Sequence, residues 1–439
     1  MQSGLNRIAF AAPLALCIAC SGGGASGGSS AAGVDRGTSP SGPAPGATAT
    51  ATAIATATPP PPAGATPTPL PTSAANAALH VPAGFSIGVI ARVPSARGLT
   101  MLPNGDLLVG SDGSALTIVP NADDVGVAGA PQVFANFPDP PSYGVAYANG
   151  TVYAGSNTTV WAMPYRTGDR SAASQSAIVR VRQGPVAPHS DGDVHRSTSV
   201  AVAGSRLFVS VGSSCNACTE VDPTRATVQT TGLSGGTPVT YAKRIRNAIA
   251  LAVNPVSGVV WAGGAGQDAL PTLHPYEFID ALSTHSAPAD YGWPECEENQ
   301  HAYIAGADCS HTVTPLVEFP AYSTLTGAAF YPPQQGGAYA FPAAYRGGLF
   351  VSAHGSWHTP NGHHVPPRVA FVAMNGDAPL KPANWNDPTT QWSEFIGGFQ
   401  NDAASDARVG RPDGIAVGPN GSLFIADDSA GVVYRIRPH

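Results

Sequence analysis

The sequence predicts an all-β fold, a six-bladed β-propeller carried behind a disordered tether rich in Pro, Thr, Ala, Ser and Gly. Gly 51 and Pro 43 together make up more than a fifth of the 439 residues, and both disfavour helix interiors. A phrase of two apolar strands around a turn rich in Pro, Gly, Asn or Asp recurs six times. Only 11% of residues are charged, with a net charge of -7. A chain of that charge offers no basic surface for phosphate, which argues against a nucleic-acid partner. Its 43% apolar content is too low for a multi-span membrane protein.

Residues 1–20 read as an export signal. Arg7 supplies a small basic region, and Ile8 to Ala19 form an apolar stretch too short to span a bilayer. Ala19-Cys20 followed by Ser21-Gly22-Gly23-Gly24 looks like a bacterial lipoprotein cleavage site, with Cys20 as the acylated residue. Leu16 stands one place before its usual position, where Cys17 is found, so ordinary secretion is the competing reading. Both readings place the chain in the periplasm or at the outer membrane or cell surface. Residues 21–78 hold almost no large apolar side chain, and Ala47-Thr48-Ala49-Thr50 leads on to Pro59-Pro60-Pro61-Pro62. Such a segment cannot offset its ordering entropy. At ~3 Å per residue it would reach on the order of 150 Å from an anchor.

The propeller is expected over residues 79–439. Its first repeat is Arg97-Gly98-Leu99-Thr100-Met101-Leu102-Pro103-Asn104-Gly105-Asp106-Leu107-Leu108-Val109, and its last runs from Arg411 to Ala426 around Pro419-Asn420-Gly421. Asn-Gly between apolar runs is a strong hairpin signal. Weaker copies run over 144–154, 199–209, 250–262 and 328–352, at spacings of roughly 45 to 85 residues. Each unit alone would expose an apolar face, and radial stacking of small sheets buries it. A β-helix would need shorter and more regular repeats.

Cys215, Cys218, Cys296 and Cys309 are an even set, which in an exported chain reads as disulfides. Local pairing, Cys215 with Cys218 and Cys296 with Cys309, is preferred among the three connectivities. Zinc competes, but neither pair has a closely spaced His in a finger-like pattern. No P-loop or nucleophile elbow is present in the sequence. His354, His358, His363 and His364 read as a His-rich loop, because Pro360 and Gly362 argue against a helix.

Polar residues gather where the repeats open and close. His195 precedes the third copy, Arg244-Ile245-Arg246-Asn247 opens the fourth, and Arg408 and Arg411 open the sixth. His354 closes the fifth. The innermost strands of a propeller line a central channel, so these groups converge. One His with several Arg suits an anionic cofactor beside a general base, since Arg offers a fixed fork of donors and neutral imidazole accepts a hydroxyl proton.

Several phrases resemble the sorbosone dehydrogenase and soluble glucose dehydrogenase family. They are Val209-Ser210-Val211-Gly212-Ser213-Ser214-Cys215-Asn216, Arg244-Ile245-Arg246-Asn247 with Leu251-Ala252-Val253-Asn254-Pro255, Tyr291-Gly292-Trp293-Pro294, His354-Gly355-Ser356-Trp357, and Gly410-Arg411-Pro412-Asp413-Gly414. The resemblance implies a propeller that binds pyrroloquinoline quinone (PQQ) and Ca²⁺ and oxidises a sugar or related aldehyde or alcohol. It implies His195 as catalytic base and Arg246 as the group polarising the reduced quinone oxygen, with Asn247 beside it. It further implies Arg411 and Arg408 on the cofactor carboxylates and His354 near a cofactor-binding Lys of the family. The backbone carbonyls of Gly266 and Gln267 would help hold Ca²⁺. Electrons would leave to a periplasmic or membrane acceptor.

Three departures from the family pattern stand out: Thr198 in place of an Arg three residues after His195, a loop around Ala265 without a side-chain amide or acid before Gly266, and His358-Thr359 in place of Asn-Arg. A Ca²⁺-dependent propeller lactonase and a binding module that has lost its cofactor are the alternatives. The first would favour several carboxylates around a central ion, and fold alone does not exclude the second.

Overall fold

A computed structural model describes residues 78–188, 194–270, 273–356, 364–400 and 407–439. The signal segment with Cys20, the tether up to residue 77, and His358 lie outside the described residues.

Alternating apolar residues and tight turns build six four-stranded antiparallel sheets, one of them extended by a fifth short strand. The first blade is Ala96–Met101, Leu107–Ser111, Ala115–Val119 and Gln132–Asn136. The second is Gly144–Ala148, Thr151–Gly155, Thr159–Pro164 and Ser176–Arg180. The third runs Thr198–Ala203, Arg206–Val211, Thr227–Gly232 and Gly235–Lys243, with Ala289–Asp290 added in parallel at its edge. The fourth is Ala250–Val253, Val260–Gly263, Glu277–Ala281 and Val317–Phe319, and the fifth is Leu325–Phe330, Leu349–Ala353, Arg368–Val372 and Trp392–Ile396. Each of the six sequence repeats is thus the innermost strand pair of one blade.

The sixth blade closes the ring. Pro412–Val417, Leu423–Asp427 and Val432–Pro438 take their fourth strand from the start of the domain, Phe85–Arg92. Phe85 pairs with Pro438 and Arg92 with Val432. This covers edges that would otherwise present unpaired backbone groups. It also seats Phe85 against Phe341, ring centroids 4.7 Å apart, in an apolar layer with Phe350, Phe395 and Tyr434. Burying aromatic side chains of that size contributes about 1.5–3 kcal/mol each.

Innermost strands touch their neighbours all the way round. Small residues permit this approach. A Cβ on Gly144 would lie 2.6 Å from the Cα of Ser199, and one on Gly327 would lie 2.2 Å from the carbonyl of Asp413. Below the rim the inner strands enclose a separate cavity of about 50 Å³. Cys215–Cys218 and Cys296–Cys309 form the two expected disulfides.

Candidate active site

In each blade the first two strands form a hairpin, so the start of the innermost strand and the end of the second lie on the same rim. This puts His195, Asn247 and Arg411, which precede inner strands, beside His354 and Asp428, which follow second strands. Together they line a cavity of about 400 Å³ at the mouth of the channel.

One wall is built around His195. Its Nδ1 lies 3.0 Å from the carbonyl of Ser213 and 2.9 Å from its Oγ, and that hydroxyl donates to the carbonyl of Cys215 at 2.7 Å. A carbonyl only accepts, so Nδ1 carries the proton and the lone pair is on Nε2. His195 and Asn247 meet over Gly212, where a Cβ would stand 2.6 Å from the Cβ of His195 and 2.5 Å from Asn247 Oδ1. Asn247 Oδ1 is buried and has no hydrogen-bond partner among the described residues. A buried acceptor left in that state is costly until a ligand donates to it.

Arg182 holds the chain behind His195. Its guanidinium donates to the carbonyls of His195 at 2.9 Å and Ser197 at 2.7 Å, to Thr198 Oγ1 at 2.5 Å, and to the carbonyl of Asn157. Thr198, where the resembled family carries an Arg, is therefore itself in contact with a guanidinium delivered from the preceding blade.

The opposite wall is a charge network. Arg97 pairs with Asp112 at 2.8 Å and with Asp413 and Asp428 at 2.9 Å each. The Tyr143 hydroxyl donates to Asp413. His354 donates from Nε2 to Asp428 at 2.9 Å. Burial pushes the His354 pKa down to about 4 against the pull of Asp428, so the imidazole is neutral at pH 7. Burial would raise Asp428, but the His354 hydrogen bond and the charges of Arg97 and Arg411 outweigh it and keep it ionised. Arg411 anchors itself on the carbonyls of His354 at 2.9 Å and Gly355 at 2.7 Å.

The remaining sequence candidates sit away from the cavity wall. Arg246 lies directly behind Asn247, with Nε 3.0 Å from the carbonyl of Asn216 and other nitrogens on Asn216 Oδ1 at 2.9 Å and Asp268 at 3.0 Å. Arg408 reaches Gln400 and Ser356, both at 3.3 Å. Gly266 faces a small enclosed space of about 10 Å³ together with Arg246, Glu277 and Glu297. Gln267 donates to the carbonyl of Pro294 at 2.8 Å. Glu277 and Glu297 each bury a carboxylate oxygen without a hydrogen-bond partner among the described residues, and burial pushes Glu297 up to about 7. Gly266 and Gln267 turn backbone N–H groups to these carboxylates and Arg246 donates to the Ala265 carbonyl, so the donors that suit a hard cation such as Ca²⁺ here are the two unpartnered glutamate oxygens. Trp293 is buried and donates to the carbonyl of Asn216.

Sequence reasoning missed Arg97, Asp112, Tyr143, Asp428 and Arg182. Arg97 opens the first repeat as Arg411 opens the sixth, and Asp112 and Asp428 follow second strands as His354 does. The same positional rule, applied to every repeat, would have found them. Arg182 follows an outermost strand and carries no such signal.

The TrAA12-like family model matches residues 79–439. The chain belongs to the TrAA12-like family. Among relatives, a Borreliella burgdorferi protein of uncharacterised function is 21% identical over 373 residues, which cover 82% of this chain and 90% of that protein. The calcium structure of Trichoderma reesei Carbohydrate-Active Enzymes Family AA12 superposes with a TM-score of 0.69 at 17% identity, covering 82% of this chain and 97% of that one. The holo form of the pyranose dehydrogenase PQQ domain from Coprinopsis cinerea gives 0.64 at 17% identity, with the same coverage. The Escherichia coli soluble aldose sugar dehydrogenase gives 0.55 at 16% identity, covering 81% of this chain and all of that one. These likenesses establish the propeller fold for this TrAA12-like chain.

Proposed function

We propose that this TrAA12-like propeller is an exported PQQ- and Ca²⁺-dependent dehydrogenase that oxidises a sugar or related aldehyde or alcohol. The single observation that carries the reading is the cavity itself: His195 with its Nε2 lone pair and the unpartnered Asn247 Oδ1 on one wall, Arg97, Arg411 and neutral His354 on the other. The solved neighbours named above, a pyranose dehydrogenase PQQ domain and an aldose sugar dehydrogenase among them, support the same reading. The orphaned Asn247 Oδ1 and the Arg411 guanidinium on the cavity wall are what fit a planar cofactor bearing a ring N–H and carboxylates. Arg411 would hold a cofactor carboxylate and Asn247 would accept from a ring N–H, whereas Arg97 is already tied to three carboxylates and the one N–H of neutral His354 is spent on Asp428. When bound, PQQ supplies a two-electron acceptor for hydride, polarised by Ca²⁺. The unpartnered oxygens of Glu277 and Glu297, rather than the Gly266 and Gln267 carbonyls that the resemblance implies, are the donors that would suit Ca²⁺.

The chain's own part is orientation and proton handling. His195 takes the substrate hydroxyl proton on Nε2 while the Ser213 carbonyl holds Nδ1–H, so the imidazolium that forms is stabilised as it appears. Arg246, bonded to Asn216, Ala265 and Asp268, fixes the loops that flank Asn247. Asp112 and Asp428, the carboxylates of the cavity wall, are both committed to Arg97, which supports a dehydrogenase over a lactonase built on a carboxylate-ringed ion. We include in the proposal a lipid anchor on Cys20 and an electron acceptor in the periplasm or membrane.

The test is reconstitution of the full chain with PQQ and Ca²⁺, followed by calorimetry and a dye-linked sugar and aldehyde screen. Saturable Ca²⁺-dependent binding with dye reduction, lost in His195→Ala, is the expected result. A folded protein that binds no quinone overturns the reading.

A further inference from the structure

The loop Ser213–Cys218 touches both groups to which the proposed reaction assigns chemistry. At one end, the Ser213 carbonyl and Oγ hold His195 Nδ1, and the Ser213 N–H donates to the carbonyl of Arg246 at 2.9 Å. In the middle, Asn216 accepts from Arg246 through both its backbone carbonyl and Oδ1. The same side chain binds the Ala265–Asp268 loop, with Oδ1 accepting from the Asp268 N–H at 2.8 Å and Nδ2 donating to the Asp268 carbonyl at 3.0 Å. Ser213 Oγ joins the His195 end of the loop to the disulfide ring by donating to the carbonyl of Cys215.

Six residues in a turn have no regular ladder to hold them, and each ordered backbone residue costs about 1–2 kcal/mol of conformational entropy. Closing the Cys215–Cys218 ring around Asn216 removes much of that freedom. The two sulfurs differ in access. Cys215 is buried against Trp293 and Ala226. Cys218 is half-buried and lines an open cavity of about 270 Å³ with Lys243 and Arg244. A small dithiol can therefore reach the bond from the Cys218 side.

We propose that the Cys215–Cys218 disulfide is a redox-sensitive clamp, and that Asn216 inside its ring and Ser213, bonded to the ring at Cys215, are the positioning residues for Arg246 and His195. The inference rests on the dehydrogenase reading for the consequence in catalysis, while the clamp itself stands on the geometry. A dithiol attacks at Cys218 and becomes a cyclic disulfide. Its two electrons and two protons end on Cys215 and Cys218 as thiols. Two thiol sulfurs cannot stay at bonding distance, so the ring opens. Asn216 and Ser213 then lose the backbone that aims them, and a misplacement of about 1 Å at the reacting groups costs on the order of 10²-fold in rate. Reoxidation by a disulfide reverses the change.

The experiment uses the full chain carrying Cys17→Ser, Cys20→Ser, Cys296→Ser and Cys309→Ser, so that Cys215 and Cys218 are the two cysteines left, loaded with PQQ and Ca²⁺ and treated with dithiothreitol. Thiols are counted, hydrogen exchange is followed in peptides covering 213–218 and 244–248, and dye-linked turnover is measured. The expected result is two new thiols, exchange in both peptides faster by about tenfold or more, and kcat lower by about tenfold or more with KM changed less than about threefold. Reoxidation restores all three. Two new thiols with exchange and kcat unchanged overturn the clamp. Should the background variant not fold, Ser213→Ala in the natural chain carries the test: a tenfold loss of kcat that Ser213→Thr recovers supports the proposal, and unchanged kcat overturns it. Should the oxidised protein neither bind quinone nor turn over, the dehydrogenase reading fails, and the exchange readout alone decides the clamp.

Discussion

Gly212→Ala is the sharpest test of how the His195 wall is built. The added Cβ would stand 2.5 Å from Asn247 Oδ1, 2.6 Å from the Cβ of His195 and 3.0 Å from the His195 carbonyl. Carbon contacts settle at about 3.5–4.0 Å, so His195, Asn247 or both must retreat by about 1 Å. The unpartnered amide end of Asn247 can turn aside, but His195 cannot retreat cheaply. The His195 carbonyl is held by Arg182, and its ring is held by Ser213. Overpacking of this kind costs about 1–3 kcal/mol of stability, and a displacement of that size costs on the order of 10²-fold in kcat. The assay is dye-linked turnover of the quinone-loaded protein, paired with urea unfolding. Gly126→Ala, at an exposed position where a Cβ meets nothing within 4 Å, is the control and should leave both values unchanged. A folded Gly212→Ala protein with kcat within about threefold of the natural protein would refute the reasoning, because it would show that His195 is not confined at that wall.

Three further outcomes follow from the same geometry. Arg182→Met strips the donor from the carbonyls of Asn157, His195 and Ser197; at about 1–3 kcal/mol per orphaned buried acceptor, urea unfolding should show a loss of several kcal/mol, and a loss below about 1 kcal/mol would mean water replaces the guanidinium. Arg411→Met removes a buried cation from the cavity wall and should weaken quinone binding by about 100-fold in calorimetry, with the proposed carboxylate contact refuted if affinity holds. Glu298 is buried, accepts from Tyr303 and from the Tyr276 N–H, and is pushed up to about 8 by burial, which outweighs those bonds. Its unfolded pKa is about 4.3, so between these values the folded state binds the extra proton and stability falls as pH rises from roughly 4.5 to 8. Denaturation across that window should show the fall, by a few kcal/mol at most, with Glu297 contributing up to about pH 7, and Glu298→Gln should make it shallower. An unchanged slope in that variant would assign the effect elsewhere.

The amino-acid sequence determined the repeat unit by itself. An Asn-Gly turn between apolar runs acts over a dozen residues, so the inner hairpins of all six blades were legible, Arg97 to Val109 and Arg411 to Ala426 most plainly. The two disulfides were legible for the same reason, because each pair is close along the chain. His195, Asn247, His354 and Arg411 could be picked out as rim residues since hairpin geometry places strand starts and second-strand ends together. What only the tertiary structure decided is everything that ring closure brings together. Phe85–Arg92 reads as one more apolar strand until it pairs with Val432–Pro438. Arg97 and Asp413 lie 316 residues apart yet meet at 2.9 Å, and Arg97 joins Asp428 to Asp112 across the junction of first and last blades. Arg182 reaches His195 from a different blade, and Asn216 meets Arg246 across a blade boundary. Periodicity and turn chemistry are local and carry no information on which rim residues will face one another. That is set by the number of blades, the strand that closes them, and the small inner-strand residues that let six sheets converge on one axis.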